Sequence, residues 1–258
     1  MGRVMGGFLA AALVAGCGGA DASTSDASRL DRAPLTSASS TTTSTTPTAA
    51  PTTTTVPPST TAPPTTSTST TVRPHPPRQV FEQAWVPYAV VGPVTLHHPV
   101  DRVEAIGFHQ SGHDGAQHQA AASTAARWFV QEDRDRDTDP QGASDVVVEP
   151  DREIRAPVTG TVIRAGTYTL YCDKVDQYAV IEPDARPGWE VKVLHVEGLA
   201  LAKGQRVEAG VTRLAARARV LPFASTVNDD TALPAWPHVH IEVVDPSIPD
   251  RPTGPGCS

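Results

Sequence analysis

The sequence predicts a mainly β fold, an antiparallel sheet core with long loops, preceded by a disordered stalk. Three observations point there. Short runs rich in Val, Ile, Tyr and Thr, broken by Gly, Pro and Asp, recur from residue 102 to residue 244, the pattern of strands joined by turns. A single stretch, Gln119–Val130, has helical character, and it owes this to its alanines. From Thr36 to Val72 no residue is charged and Ser, Thr, Pro and Ala fill nearly every position, so no core can form there to offset the ordering entropy.

The first residues combine a basic side chain, Arg3, with a short apolar run and the small residues that precede Cys17. That is the composition of an export signal, and its apolar part is too short to remain as a membrane-spanning helix. Val14-Ala15-Gly16-Cys17 resembles the cleavage box of bacterial lipoproteins, in which the cysteine is acylated. The expected organisation is a signal peptide over 1–16, a lipid-anchored Ser/Thr/Pro-rich stalk over 17–79, and one folded domain over 80–258. It places the domain outside the cytoplasm, tethered to the membrane by lipid and facing the cell wall.

Within the domain the expected strands are Arg102–Phe108, Asp145–Val148, Gly160–Ala165, Tyr168–Cys172, Gln177–Ile181, Trp189–Val196, Val211–Leu214 and His238–Val244. Gln131–Gly142, which contains Glu-Asp-Arg-Asp-Arg-Asp, reads as a solvated insertion able to narrow a groove or cover it. His75, His97, His98 and His118 read as surface residues. The chain has a formal net charge of −7 and no basic run, which argues against a nucleic-acid partner. Nothing suggests coiled-coil assembly, so a monomer is expected. With Cys17 taken by lipid, Cys172 and Cys257 remain as a pair in an oxidising compartment, and a disulfide between them is expected. In the chain-entropy picture, closing so long a loop contributes about 4–5 kcal/mol.

Chemistry concentrates in His238-Val239-His240, inside Trp236-Pro-His-Val-His-Ile-Glu-Val-Val244. Residues two apart on a strand share a face, so both imidazoles look into one space while Val239, Ile241 and Val243 turn to the other side. Neutral imidazole is both a common metal ligand and the usual general base near neutral pH.

Upstream of this strand stand Ala156-Pro157-Val158-Thr159-Gly160-Thr161-Val162, then Leu194-His195-Val196, then Gly204-Gln205-Arg206-Val207-Glu208-Ala209-Gly210. In that order, ending on His-Val-His, the motifs resemble the zinc endopeptidases of the lysostaphin and LytM type, which cut peptides of bacterial peptidoglycan. The resemblance covers roughly 107–244 and implies a β-sheet core crossed by a groove. It implies Zn2+ as cofactor, His240 as a metal ligand, and His238 and His195 as the catalytic imidazoles.

The family's first element, His-x-Gly-x-Asp, is altered here to His109-Gln110-Ser111-Gly112-His113-Asp114, with the histidine one residue early. Three arrangements follow: His109 with Asp114 across a bulge, His109 with His113 in a three-histidine site, or loss of the metal site. Loss would leave a non-catalytic relative that binds peptidoglycan or regulates another wall hydrolase. The Ala-Pro and Gly-x-x-Val turns also resemble biotinyl and lipoyl carriers, yet the methionine usual beside their acceptor lysine is missing, since Met1 and Met5 both lie in the signal.

Overall fold

In the computed structural model, residues 74–82 and 85–251 are described. The signal, Cys17, the stalk up to residue 73, and Cys257 lie outside the described residues. The strands in chain order are β1 (Phe81–Glu82), β2 (Pro87–Val91), β3 (Val94–His97), β4 (Arg102–His109), β5 (Ala120–Ala121), β6 (Trp128–Val130), β7 (Ala143–Val148) and β8 (Ile154–Arg155). They continue with β9 (Gly160–Leu170), β10 (Lys174–Pro183), β11 (Glu190–Glu197), β12 (Arg206–Val207), β13 (Arg213–Ala215), β14 (Arg217–Ala218) and β15 (His238–Val244). The fold is mainly β. No helix among the described residues is long and apolar enough to cross a membrane.

A ten-stranded sheet runs β1-β4-β7-β15-β11-β10-β9-β12, with β6 alongside β4 and β14 against β11. Every pairing in it is antiparallel except β4 with β6. The consecutive strands β4, β7, β15 and β11 are buried along nearly their whole length, so their side chains are covered on both faces. On one face Ile106 and Phe108, Val146 and Val148, Val239, Ile241 and Val243, and Val191 and Val193 form one apolar cluster with Tyr88, Val91 and Leu96 of the β2–β3 hairpin. Each fully buried side chain of this size contributes about 1.5–3 kcal/mol. The alternation expected for 238–244 therefore holds, and it commits the other face of β15 to His238, His240 and Glu242, which are buried as well.

Several stretches differ from the sequence expectation. Gln119–Val130 is not helical: Ala120–Ala121 pairs with β2 and Trp128–Val130 runs parallel to β4. Alanine propensity is worth only tenths of a kcal/mol per residue, and a short isolated helix is marginal, so backbone pairing to two strands overrides it. The two runs expected over 160–172 are one long strand, and the β2–β3 hairpin precedes the first strand expected from the sequence. Cys172, in the β9–β10 turn, is disulfide-bonded; Cys257, its expected partner, lies outside the described residues.

His98 is not a surface residue. It is fully buried, with Nδ1–H donating to Val86 O at 2.7 Å and Nε2 accepting from Ala126 N at 3.2 Å. Burial pushes its pKa down to about 4, against the opposing pull of the Val86 hydrogen bond. An unfolded histidine takes up a proton near pH 6.5, whereas folded His98 stays neutral until about pH 4. Between those values the unfolded chain binds more protons, so stability falls as pH is lowered through the window, by up to about 3 kcal/mol for this group. Urea midpoints measured from pH 7 to pH 4.5 should fall steeply for the native protein and less steeply for His98→Gln. Identical slopes would contradict this account.

Candidate metal centre

Asp145 lies in the middle of β7, between β4 and β15. The register sets it directly opposite His240 on one side and Gly107 on the other, and His109 lies one pleat along from Gly107, opposite Ala143. Opposed residues of an antiparallel pair share a face and their diagonal neighbours remain within reach, so three distant stretches of chain meet. Asp145 Oδ1 is 2.9 Å from His240 Nδ1 and 3.2 Å from His109 Nε2. Each residue offers one ligand atom, these atoms lie within 4.8 Å of one another, and all three residues are buried. The group can hold a metal ion.

The atoms around this group keep its donors in place. His109 Nδ1–H donates to Gln110 O at 2.7 Å, which leaves the lone pair on Nε2. That Nε2 is buried with no hydrogen-bond partner, although it faces the carboxylate oxygen. Two electron pairs directed at one another in a buried space are tolerated when a cation lies between them, and imidazole with carboxylate is a suitable donor set. The far oxygen of Asp145 accepts from Gln131 Nε2 at 3.1 Å, and the same amide donates to Gly107 O at 3.0 Å. Gly107 leaves room for this amide, because a Cβ there would stand 2.6 Å from Gln131 Nε2 and displace it.

Two further imidazoles complete the floor. His238, two residues from His240 on the same face, has Nε2 3.8 Å from Asp145 Oδ1. His195 reaches this face through a backbone irregularity. Leu194 pairs with Tyr178 and Val196 with Gln177, so His195 is the extra residue of a β-bulge, held at φ +61°. A non-glycine residue in that region is strained, and such strain gathers at functional sites. The ring of His195 stands edge-on to His238 at 5.1 Å between centroids and lies 5.8 Å from His240. Its Nδ1 is 2.6 Å from Oδ2 of the buried Asp176, which also accepts from Tyr168 OH at 2.8 Å. Above the floor is a cleft of about 30 Å³ whose lining also includes Arg134, Tyr171, Leu221, Phe223 and Ser225, enough to admit a water molecule.

Burial holds the pKa of His109 below the ordinary histidine value and pushes that of His238 down to about 3. Both rings are neutral at physiological pH, the state a ligand or a base requires. Burial works to raise the pKa of Asp145, but the imidazoles of His109 and His238 and the hydrogen bond with His240 outweigh it and hold the carboxyl well below its usual range. Hydrogen bonds from Tyr168, His195 and the Gln177 backbone likewise hold Asp176 down despite burial.

Of the residues expected from the sequence, His109, His240, His238 and His195 come together. Asp114 and His113 do not join them. Asp114 accepts from Arg251 Nε at 2.7 Å, at the edge of the fold. His113 belongs to a separate buried cluster, with Nε2 2.9 Å from Lys192 Nζ and Nδ1 2.8 Å from Asp250 Oδ2, beside Glu242. The carboxylate of the centre is Asp145, which sequence reasoning missed. Its signal was present: it is the lone charged residue in Ala143-Ser-Asp-Val-Val-Val148, and a carboxylate inside a buried apolar strand must be paired or bind a cation. Asp176, Gln131 and Arg134 were missed too, and the last two lie in or beside the run expected to be solvated.

No protein-family model matches the chain, and no curated protein matches it.

Cobalt(II) titration, read by its visible absorption, should show one site in the native protein. Asp145→Ala or His109→Ala should weaken binding by on the order of 100-fold or more, whereas Asp114→Asn should leave it unchanged. Loss of binding in Asp114→Asn with retention in Asp145→Ala would refute the assignment.

Proposed function

We propose that the protein is a zinc-dependent peptide hydrolase of the lysostaphin and LytM type, acting on peptides of peptidoglycan. The convergence of His109, Asp145 and His240 beneath a cleft shared with His238 and His195 carries this reading. The ordered motifs at 156–162, 194–196, 204–210 and 238–240 supply the family resemblance. The export signal, Cys17 and the stalk supply a route to the substrate, with lipid holding the domain at the membrane and the stalk extending it toward the wall.

Zinc bound by these three residues would supply Lewis acidity, polarising the scissile carbonyl and making water a stronger acid. The chain's own groups do the rest. His238, on the same face as His240, is the imidazole assigned to take the proton from the attacking water. His195 donates Nδ1–H to Asp176, which fixes its tautomer and leaves Nε2 to face the substrate. Its Nε2 lone pair can orient the attacking water by accepting a hydrogen bond from it, and only after taking up a proton could Nε2–H stabilise charge on the carbonyl oxygen or protonate the leaving amine. Tyr168 holds Asp176 from behind. Asp176 is thus a positioning residue, acting through His195. The alternative of a metal-free binding relative drew on the displaced histidine, and the place of His109 beside Asp145 and His240 supports the hydrolase reading over it.

Zinc-loaded protein should release soluble fragments from peptidoglycan, and His240→Ala should abolish this together with zinc binding. Asp176→Asn should keep zinc, lower kcat by about 10²–10⁴-fold with little change in KM, and alter the pH profile. A zinc-loaded native protein that is inert on peptidoglycan of every cross-link type would overturn the proposal.

A further inference from the structure

A second cavity, of about 240 Å³, is bounded by Gln110, Gln131, Glu132, Asp133 and Pro140. The cleft above the imidazoles has about 30 Å³, so this cavity is the one with space for a side chain and not only for water. Two of its boundaries touch the metal centre. Gln110 O accepts from His109 Nδ1–H at 2.7 Å, and Gln131 Nε2 donates to Asp145 Oδ2 at 3.1 Å. A group lodged there is held beside the ligand residues.

The polar groups around the cavity differ in what they have left to offer. Gln131 is spent, with Nε2 on Asp145 and Gly107 O and with Oε1 accepting from Arg134 and Thr226. Gln110 is only 8% exposed. Its Oε1 accepts from Arg134 N at 2.9 Å and Arg136 N at 3.3 Å, while its Nε2 has no acceptor among the described residues. The oxygen of that amide is turned to the backbone of the β6–β7 connection, which leaves the NH2 for the cavity. Glu132 and Asp133 are exposed and form no ion pair among the described residues. The arginines that alternate with the acids are engaged by other groups: Arg134 by Gln131 and Thr226, Arg136 Nη1 by Gln110 O at 3.0 Å.

Adjacent carboxylates repel each other, and a cation between them relieves this. A bare metal ion does not suit the cavity, because the amide N–H repels it and the Pro140 ring offers no ligand atom. An aliphatic ammonium does suit it. Such a group brings three N–H donors for the two carboxylates and a methylene stem to lie on Pro140. On a peptide it also brings a backbone carbonyl to accept from Gln110 Nε2.

We infer that this cavity receives an aliphatic amine side chain of the peptide substrate, with its ammonium on Glu132 and Asp133 and the carbonyl of the same residue on the Gln110 amide. The inference rests on the hydrolase reading above and names a side chain the substrate carries near the scissile bond. Recognition by side chain and carbonyl needs no chain end, so it suits a peptide cut within its length.

The test pairs binding with cleavage. Alanine pentapeptides, acetylated and amidated at their ends and carrying lysine, Nε-acetyl-lysine or glutamate at the centre, are titrated calorimetrically into the zinc-loaded full chain and assayed for hydrolysis by mass spectrometry. The lysine peptide should bind about 10-fold more tightly than the other two. Glu132→Gln combined with Asp133→Asn should bring the three within about twofold at unchanged zinc content. Asp137→Asn, which removes an exposed charge of the same connection outside the cavity, should leave the preference intact. Gln110→Glu keeps the acceptor for the backbone but loses the donor, and it should weaken the neutral Nε-acetyl-lysine peptide by about 10-fold. Equal binding of the three peptides by the native protein overturns the inference and leaves the hydrolase reading to stand on its cleavage of any of them. Loss of the preference in Asp137→Asn also overturns it, because that result assigns the effect to net charge, and undiminished binding of the neutral peptide by Gln110→Glu overturns the carbonyl contact. Lysine-selective binding that the Glu132 and Asp133 substitutions abolish, with no peptide cleaved, supports the amine site and counts against the hydrolase reading instead.

Discussion

The buried charge of Asp145 is the constraint on which the rest of the structure depends. An ionised carboxylate at the centre of a ten-stranded sheet is destabilising by several kcal/mol unless its surroundings compensate. Here His240 across one strand and the Gln131 amide at the far oxygen donate hydrogen bonds to it, while His109 across the other strand and His238 along the row face it and leave a place for a cation. Those partners come from β4, β15 and the segment after β6, so satisfying one charge fixes how distant stretches of chain dock. The outcome is three potential ligand atoms directed at one space, where a cation would take the place of the His240 Nδ1 proton.

Around that centre, function is carried by departures from regular sheet. Ideal alternation along β11 would not bring Leu194 and His195 to the same side, yet Leu194 packs with Tyr168 and Leu170 while His195 bonds Asp176 behind the same wall. A single left-handed residue in a bulge achieves this. The β9–β10 turn is similarly unusual, with positive φ at Tyr171 and Cys172 and a disulfide at Cys172. Tyr171 walls the cleft, so backbone strain and a covalent link fall beside the chemistry and not in the core. The Lys192, His113 and Glu242 cluster one pleat away shows the contrast. Its charges hold Glu242 down to about 2 despite burial, and none of the three residues lines the cleft.

Much of this was legible from residues alone, for reasons that differ by element. The strand 238–244 was read with its correct bounds, because period-two alternation between valines and polar residues is a strong signal. The mainly β class followed from the same pattern repeated. The helix expected over 119–130 failed because alanine-rich composition speaks only to local propensity, and the segment is held by pairing to β2 and β4. Asp114 was preferred to Asp145 because proximity in sequence stood in for proximity in space. His109 and Asp145 are separated by a long connection, and only the register of β4 against β7 brings them together. His98 read as surface for want of any signal, since burial of a lone histidine depends on backbone partners that sequence does not show. Arg134 lay hidden in a charged run whose neighbours, Asp133 and Asp135, do face solvent.

The central claim is that His109, Asp145 and His240 together bind one cation. Anomalous diffraction at the zinc absorption edge, from crystals of zinc-loaded protein, tests it most directly. The account predicts one strong peak within about 2–2.2 Å of His109 Nε2, a carboxylate oxygen of Asp145 and His240 Nδ1. A peak coordinated instead by Asp114 or His113, or crystals saturated with zinc that show no peak between these three residues, would contradict it.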